Sequence, residues 1–489
     1  MMPDVVDTLG LADPSLLTGS GFVDGMRFKG DRLFRVANPA TGALLAEVAD
    51  MGVPELRSAI DAAHAARKAW AARTAKDRAA ILRRWHDGIL ANREDLARIL
   101  TAEMGKPLAE ARGEIAYGAA YVEWFAEEAR RVYGDTIPGH MPDKRIIVLK
   151  QPVGVVGAIT PWNFPNAMLA RKIAPALAAG CTVVARPSEF TPLSALALGV
   201  LAERAGVPAG VLNIVPGLDA AGMGAELCAN PKVAKISFTG STRVGRILMR
   251  QGAETIKKLS LELGGNAPFI VFDDADLDAA VDGAMAAKFR NAGQTCICAN
   301  RIYVQAGLHD AFVEKLAARV AALTVGEGQA EGVAIGPLIN RAALAKVEDH
   351  IADARIHGAT IATGGTRHAL GGTFFQPTVL SGMTQAMKIA REETFGPVAP
   401  VWRFETEDEV VALANASEFG LAGYFYARDI SRVWRVAEAL EVGMVGVNTG
   451  LISTEVAPFG GIKQSGLGRE GSHYGIEDYL DIKYMCLSV

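Results

Sequence analysis

The stretch that decides the fold is residues 153–206, VGVVGAITPWNFPNAMLARKIAPALAAGCTVVARPSEFTPLSALALGVLAERAG. Two short runs of β-branched and small residues, 153–160 and 181–186, alternate with two longer helical runs, 166–180 and 191–206. The same alternation continues, with short glycine or proline joints, to about residue 261. Strands separated by helices predict a parallel sheet with helices on both faces, that is, a doubly wound α/β fold.

In such a sheet, ligands bind beyond the carboxyl ends of the strands. The first residues to inspect are therefore those at or just after the predicted strand ends: Thr160, Arg186, Gly217 and Gly240. At residues 240–245 (GSTRVG), a glycine turn follows a strand and opens a helix, and a helix N-terminus suits a diphosphate; an ordinary strand-to-helix turn is the alternative. Arg246 stands where a phosphate-binding P-loop would need lysine. The GLGREG of residues 466–471 opens no βαβ unit and is discounted as a nucleotide motif.

The remaining segments suggest further units around this sheet. Residues 51–131 repeat apolar side chains every three or four positions and are predicted to be helical. From about residue 267 to 463 the strand and helix alternation resumes less regularly, which predicts a second α/β domain. The C-terminal tail looks like a strand, which would pair with the strand-like segment at residues 133–151 or with another subunit. We predict a division into 1–132 with 153–264, 265–465, and 133–152 with 466–489.

Composition excludes several classes of protein. The chain has 489 residues, a net charge of −4 with both signs scattered, and no basic patch, so nucleic-acid binding is not expected. Apolar runs such as residues 173–185 are too short and too broken to span a bilayer. The N-terminus is acidic and does not read as a secretory signal. Five cysteines, an odd number, suggest a reducing compartment, and we expect a cytoplasmic protein.

Two of these cysteines lie one residue apart in FRNAGQTCICAN, residues 289–300. Cys296 and Cys298 are too close for the usual zinc-binding pair, and no histidine cluster accompanies them, so no metal site is predicted. A cysteine protease would need a histidine base, which no local signature supplies, and a histidine distant in sequence stays open as an alternative. A buried apolar role is the default for an ordinary cysteine, but small and polar neighbours make it a weaker interpretation here.

Four motifs stand in order along the chain: ITPWNFP (159–165), LELGGNAP (261–268), GQTC (293–296) and EETFGPV (392–398). In this order and spacing the sequence resembles the aldehyde dehydrogenase superfamily over about residues 38–489. Residues 289–301 and 446–486 more narrowly resemble the succinate-semialdehyde dehydrogenases. The resemblance implies a Rossmann-like NAD(P)-binding domain, a catalytic α/β domain and a small β bridging segment for oligomerisation, with the boundaries given above.

The resemblance also implies a mechanism. Cys296 would attack the aldehyde carbon, and the side-chain amide of Asn163 would stabilise the oxyanion together with the Cys296 backbone N–H. The thiohemiacetal would pass a hydride to the nicotinamide. Glu262 would then activate the water that hydrolyses the acyl-enzyme, and its leucine-rich setting predicts a raised carboxyl pKa.

For the cofactor, NAD or NADP, the resemblance implies a binding set of twelve residues: Thr160, Pro161, Trp162, Arg186, Ser188, Glu189, Gly217, Gly240, Ser241, Leu263, Glu393 and Phe395. Arg186, where the family usually has lysine, suits a 2′-phosphate. Glu189 is placed to bond a ribose 2′-hydroxyl and to repel that phosphate. The two arguments oppose each other, and the balance leans slightly to NAD, with dual use left open.

For the substrate, the resemblance implies that Arg171, Arg290 and Ser453 bind the far carboxylate of a short semialdehyde. Succinate semialdehyde is the expected substrate, in GABA degradation, with glutarate semialdehyde, a simple aldehyde, or thiol-esterase chemistry as alternatives. In some members of the subfamily a second cysteine, here Cys298, forms a bond that shuts the enzyme off. The resemblance further implies a homo-oligomer, a tetramer or a dimer.

Overall fold

The computed structural model describes residues 9–489, which contain fourteen α-helices and twenty-two strands. The helices are α1 Val53–Ala71, α2 Ala75–Ala91, α3 Arg93–Met104, α4 Leu108–Glu128, α5 Ala167–Ala179, α6 Pro192–Arg204, α7 Ala220–Ala229, α8 Thr242–Ala253, α9 Leu277–Phe289, α10 His309–Ala321, α11 Arg341–Ile356, α12 Glu407–Asn415, α13 Ile430–Ala439 and α14 Tyr474–Glu477.

The strands are β1 Gly21–Val23, β2 Met26–Phe28, β3 Leu33–Ala37, β4 Leu44–Ala49, β5 Asp135–Pro138, β6 Lys144–Pro152, β7 Val155–Ile159, β8 Thr182–Arg186, β9 Leu212–Ile214, β10 Val233–Thr239, β11 Lys258–Glu262, β12 Ala267–Val271, β13 Ala299–Gln305, β14 Thr360–Thr363, β15 Thr378–Ser381, β16 Val398–Phe404, β17 Phe419–Gly420, β18 Ala422–Tyr426, β19 Met444–Val447, β20 Ile462–Lys463, β21 Gly466–Leu467 and β22 Leu480–Ser488.

The predicted parallel sheet forms the centre of an eight-stranded sheet with the order β2-β1-β9-β8-β7-β10-β11-β21. The five strands from β9 to β11 run parallel, and the short strands at both edges are antiparallel. β7 and β8 are buried along their whole length, because helices cover both faces of the sheet. The doubly wound prediction is therefore confirmed, and the carboxyl ends of all five parallel strands meet at one edge.

The second α/β unit is a seven-stranded sheet with the order β14-β15-β16-β13-β12-β18-β19. All its strands are parallel except β14 at one edge. Its own apolar core includes Phe269, Tyr303 and Phe425, all fully buried. The less regular alternation of the sequence after residue 267 reflects long loops and short edge strands, not a different class of fold.

The C-terminal strand β22 pairs antiparallel with β6 from Leu480 to Ser488, and β5 completes a three-stranded sheet. Pairing of the tail with the strand-like segment after residue 133 is thus confirmed. The segment before it behaves differently, since Gly466 and Leu467 pair with β11 in the first sheet. The proposed domain boundaries stay a prediction, but this pairing attaches the start of the 466–489 segment to the first sheet.

Helix α5 positions much of the site. All thirteen of its residues are buried, and it ends where Gly180 takes a left-handed conformation with φ of 99°. Its N-terminus follows the PWNFP segment directly, so Asn163 and Arg171 are supported by one buried helix. Within residues 9–489, no helix is both long and apolar enough to cross a membrane.

Candidate active site

The strand ends of the first sheet bring most of the predicted cofactor residues to one edge, and Glu393 and Phe395 join them from the segment before β16 of the second sheet. Several of these residues and their neighbours line a cavity of about 620 Å³, a size typical of ligand sites. The predicted residues in its lining are Pro161, Trp162, Gly240, Ser241, Leu263, Glu393 and Phe395. Ser241 caps helix α8 through its hydroxyl, which leaves the N-terminus of a twelve-residue helix facing this region. The rings of Trp162 and Phe395 meet edge to face, with centroids 5.6 Å apart.

A second group of predicted cofactor residues gathers around Arg186 at the end of β8. The guanidinium contacts a carboxylate oxygen of Glu189 and the carbonyl oxygen of Gly217, both at 2.9 Å. The hydroxyl of Ser188 accepts the N–H of Phe190, and the N–H of Thr160 reaches the Arg186 carbonyl. Among the described residues, the buried Nε of Arg186 and Oγ1 of Thr239 have no hydrogen-bond partner. Unpaired buried donors beside a glycine-bordered cavity fit a polar dinucleotide.

Cys296 lies between this cavity and a second one of about 290 Å³, because its side chain lines both. We call the second cavity the substrate tunnel; its lining includes Glu110, Tyr117, Phe164, Phe459 and Leu451. Burial raises the pKa of the Cys296 thiol to about 12, a rise that the Arg171 charge opposes and the Glu262 charge reinforces. The thiol is therefore the resting form, and a nucleophilic thiolate forms only as its proton leaves.

The three predicted substrate residues, Arg171, Arg290 and Ser453, all line the substrate tunnel. Arg171 is buried over the ring of Phe459, at 4.3 Å, and pairs with Glu470 through Nε. Its two terminal nitrogens have no hydrogen-bond partner among residues 9–489. Arg290 lies 5.3 Å from the ring of Phe164 and forms no ion pair within the described chain. The tunnel thus presents two guanidiniums with free donors, which an anionic group would satisfy.

Glu262 ends β11 and is buried, with both carboxylate oxygens lacking a hydrogen-bond partner in the described chain. Its pKa is raised to about 8: burial is the largest cause, the neighbouring Glu470 adds to the rise, and the charges of Arg171 and Lys172 oppose it. The raised pKa that the leucine-rich motif predicted is confirmed in direction. With a pKa near 8, this carboxyl can act as a general base in its ionised fraction, which grows as the pH rises through neutrality.

Asn163 is held by residues that the sequence patterns did not single out. Its side-chain amide donates to the carbonyl of Gln294 at 3.0 Å, two residues before Cys296. Its own carbonyl accepts from the Lys106 ammonium at 2.7 Å, and Lys106 pairs with Glu114 at 2.6 Å. Glu114 also accepts the backbone N–H groups of residues 166 and 167. A buried ion pair between Lys106, which precedes α4, and Glu114 on α4 therefore fixes both the main chain of Asn163 and the start of α5.

These residues, and the Glu470 carboxylate that pairs with Arg171 and Lys172, escaped prediction for a physical reason. Lys106, Glu114 and Glu470 lie far from the four motifs in sequence, and their charges read as ordinary helix or loop positions. Only a buried salt bridge reveals their role, because burial makes each partner dependent on the other. The four-residue spacing puts Glu110 and Glu114 on one face of α4, but Lys106 precedes that helix and carries no such signal.

The turn before Cys296 is strained. Asn291 (φ 53°, ψ 37°) and Ala292 (φ 54°, ψ 33°) are both left-handed, a conformation costing about 1–2 kcal/mol for each non-glycine residue. Gly293 follows with φ of 75°, and a Cβ there would lie 2.1 Å from the carbonyl oxygen of Gly396. A Cβ on Gly265 would lie 2.4 Å from the carbonyl oxygen of Cys296. Two glycines from two motifs thus allow three chain segments to meet around the thiol.

Cys298 faces away from the substrate tunnel. Its thiol is buried, lies 3.1 Å from the carbonyl oxygen of Lys288, and belongs to neither cavity lining. All five cysteines are free. Within residues 9–489, no group of three or more histidine, cysteine or acidic side chains is arranged to hold a metal ion.

The strand-end cavity, the thiol and the tunnel correspond to one known family. The sequence profile described as "Aldehyde dehydrogenase family" matches residues 27–485, almost the whole chain. The chain belongs to the aldehyde dehydrogenase family. As a member, it is an NAD(P)-dependent oxidoreductase, and the predicted fold class is confirmed.

Three similar relatives carry different substrate names at nearly the same identity. The chain is 64% identical over 454 residues to the succinate-semialdehyde dehydrogenase (NADP(+)) GabD of Escherichia coli, covering 93% of this chain and 94% of the relative. It is 63% identical over 481 residues to a 3-sulfolactaldehyde dehydrogenase of Pseudomonas putida, covering 98% and 99%. It is 62% identical over 479 residues to a glutarate-semialdehyde dehydrogenase of Pseudomonas aeruginosa, covering 98% and 99%. Identity alone therefore does not select one substrate, but all three names denote short aldehydes with an anionic group.

Proposed function

We propose that this chain oxidises succinate semialdehyde to succinate with NAD or NADP, through a covalent intermediate on Cys296. The observation that carries the proposal is the position of the thiol between two cavities. One cavity is lined by the residues assigned to the dinucleotide, and the other holds two guanidiniums with free donors. A panel of aldehydes assayed with each dinucleotide tests it; the highest kcat/KM must belong to a short aldehyde with a carboxylate at its far end.

In the proposed mechanism the Cys296 sulfur adds to the aldehyde carbon as its proton leaves. The amide of Asn163 and the backbone N–H of Cys296 donate to the oxygen that becomes negative. A bound dinucleotide would supply the hydride acceptor for the oxidation. Glu262 then takes a proton from water, the water oxygen bonds to the acyl carbon, and the carbon–sulfur bond breaks. The proton on Glu262 passes to the departing sulfur, so each turnover consumes one water and restores both the carboxylate and the thiol.

The charged end of the substrate would bind Arg171 and Arg290. Both guanidiniums line the tunnel, and the apolar rings of Phe459 and Phe164 beneath them limit competition from water. Ser453 supplies a hydroxyl at the same end. Arg171 keeps one nitrogen on Glu470, so its free terminal nitrogens are the ones available to a carboxylate.

Arg290→Ala is expected to lower kcat/KM for succinate semialdehyde by about 30-fold, the equivalent of about 2 kcal/mol for a lost charged hydrogen-bond partner. Butanal, of similar length but uncharged, should change by less than about threefold, because it makes no use of the guanidinium. Steady-state kinetics of both aldehydes measure the effect, and Arg290→Lys should lie between wild type and Arg290→Ala. Equal losses on the two substrates would refute the clamp.

On the cofactor we propose a modest preference for NAD, with NADP also used. Arg186 already contacts Glu189 and the Gly217 carbonyl, so it is not a free phosphate receptor. A 2′-phosphate would approach the Glu189 carboxylate and be repelled by it. We expect kcat/KM to be higher with NAD than with NADP. Glu189→Gln should reduce the ratio of these two kcat/KM values. A strong NADP preference in the wild type would overturn this assignment.

Glutarate semialdehyde is the nearest alternative substrate. It differs by one methylene, and a methylene is worth only about 1–3 kcal/mol in discrimination, so some activity with it is expected. A thiol hydrolase acting without a dinucleotide is the alternative from another class. Ester cleavage that needs no dinucleotide, with no dinucleotide reduction by any aldehyde, is the outcome that would favour it.

A homo-oligomer in the cytoplasm, acting in GABA degradation, completes the proposal. The three-stranded sheet of β5, β6 and β22 exposes large apolar side chains, such as Ile482 at 72% and Tyr484 at 70% exposed. Apolar strands of this kind are covered in most proteins by another surface. Light scattering should give a mass of two or four chains, and Ile482→Lys should reduce it. A monomeric wild type would contradict the assignment.

Cys298 is retained as a proposed redox brake on Cys296. One intervening residue makes a bridge between them strained and readily reduced. Its formation would also require the Cys298 thiol to leave the Lys288 carbonyl. Peroxide should inactivate the wild type reversibly, with recovery in dithiothreitol, and Cys298→Ser irreversibly. Identical behaviour of the two proteins would remove the proposal.

A further inference from the structure

Glu110 lines the substrate tunnel, although a carboxylate there opposes binding of the anionic substrate proposed above. It stands in the first turn of α4, four residues before Glu114 and therefore on the same helix face. The described residues place no basic side chain within ion-pair distance of it, so it does not neutralise Arg290 by direct contact. Neither substrate binding nor a salt bridge accounts for its position.

Its one hydrogen bond points to a different role. The Oε2 atom of Glu110 accepts the backbone N–H of Asn291 at 2.7 Å, the shortest hydrogen bond made by the turn of residues 290–293. The side chain of Asn291 meanwhile donates to the carbonyls of Asn163 and Gln294, at 3.0 and 3.2 Å. Hydrogen bonds therefore hold Asn291 at two points: α4 binds its backbone N–H, and the segment that carries Asn163 binds its side-chain amide.

A strained turn persists only when its surroundings over-determine it. Arg290 begins this turn, and Cys296 follows three residues after it ends. If Asn291 relaxed toward a right-handed or extended conformation, the Arg290 guanidinium before it and the Cys296 backbone N–H after it would both move. A displacement of about 1 Å in a reacting group is enough to cost about 100-fold in rate.

We propose that Glu110 is a positioning residue, which holds the left-handed turn 290–293 and thereby sets the geometry of Cys296 and Arg290. The inference rests on the proposed function only in assigning the nucleophile to Cys296; it holds for any aldehyde substrate. What the turn needs from residue 110 is a hydrogen-bond acceptor, not a negative charge.

This distinction makes the proposal testable with matched variants. Glu110→Gln keeps an acceptor oxygen and removes the charge, whereas Glu110→Ala removes both. We expect Glu110→Ala to lower kcat by about 10- to 100-fold with both succinate semialdehyde and butanal. Glu110→Gln should stay within about threefold of wild type on both. Glu123→Ala, an exposed carboxylate on the same helix, serves as the control.

Three results would overturn the proposal. Equal behaviour of the glutamine and alanine variants, with a changed KM for succinate semialdehyde alone, would show that Glu110 acts through its charge. A lowered melting temperature with unchanged kcat would reduce it to a structural residue. Unchanged kinetics in both variants would remove any role. Should Glu110→Ala not fold, Glu110→Met, which lacks an acceptor at similar volume, replaces it. Assays with butanal separate this test from the substrate assignment. If the wild type preferred an uncharged aldehyde, the assignment of succinate semialdehyde would be wrong, but the proposed role of Glu110 would be unaffected.

Discussion

Cys296→Ser is expected to lower kcat for aldehyde oxidation by about 10⁴-fold or more, the scale of loss when a covalent nucleophile is removed. A serine hydroxyl is far less acidic than the thiol it replaces, and among residues 9–489 no histidine lines the tunnel to activate it. The measurement is steady-state dinucleotide reduction with succinate semialdehyde at saturating dinucleotide. Binding of the dinucleotide, followed by fluorescence, should be nearly unchanged, since most of its proposed contacts lie at the strand ends.

Cys298→Ser is the matched control for this experiment. Its thiol is buried against the Lys288 carbonyl and lines neither cavity, so kcat should remain within about threefold of wild type. A Cys298→Ser enzyme as inactive as Cys296→Ser would mean that the assignment of the two cysteines is wrong. An active Cys296→Ser enzyme would exclude covalent catalysis at that residue.

Glu262→Gln is expected to reduce steady-state turnover by about 10²- to 10⁴-fold, the usual contribution of a general base, while leaving acylation possible. The two side chains have nearly the same shape, so the buried site should tolerate the change. Rapid mixing should show a burst of about one reduced dinucleotide per active site, followed by slow turnover. Loss of the burst together with turnover would contradict a role in hydrolysis alone.

The pH dependence follows from the same residue. Burial raises the pKa of Glu262 to about 8, so near neutral pH most of the carboxyl is protonated and cannot act as a base. Under conditions where hydrolysis limits the rate, kcat should rise with pH from about 6 to about 9. Glu262→Gln should flatten this rise. A profile already level from about pH 6 would indicate an ordinary, solvated carboxylate.

Much of the fold followed from local patterns. The run of strands and helices from residue 153 predicted the parallel sheet, because each strand alternates with a covering helix. Gly180 marked the end of α5. Of the two predicted partners for the terminal strand, residues 133–151 or another subunit, the structure shows the first, as pairing with β6. The small edge strands, such as β21, were not predicted, since two residues carry no usable periodicity.

The candidate site was predictable where its residues sit in motifs and not where they act through space. The four motifs indicated Cys296, Glu262 and Asn163, and the structure brings the first to the junction of two cavities. The supporting residues Lys106 and Glu114 were not predicted, because their function depends on burial and on partners more than fifty residues away. The left-handed turn was not predicted either: asparagine adopts this conformation more readily than most residues, but Ala292 beside it gives no such signal.

The most direct test of the proposed chemistry is the identity of the acylated residue. Glu262→Gln enzyme is mixed with succinate semialdehyde and dinucleotide, quenched in acid during the slow phase, and mapped by peptide mass spectrometry. We expect one succinyl group per chain, bound to Cys296 in the peptide that contains residues 289–300. An unmodified Cys296 after a full burst of dinucleotide reduction, or a succinyl group on another residue, would contradict the mechanism.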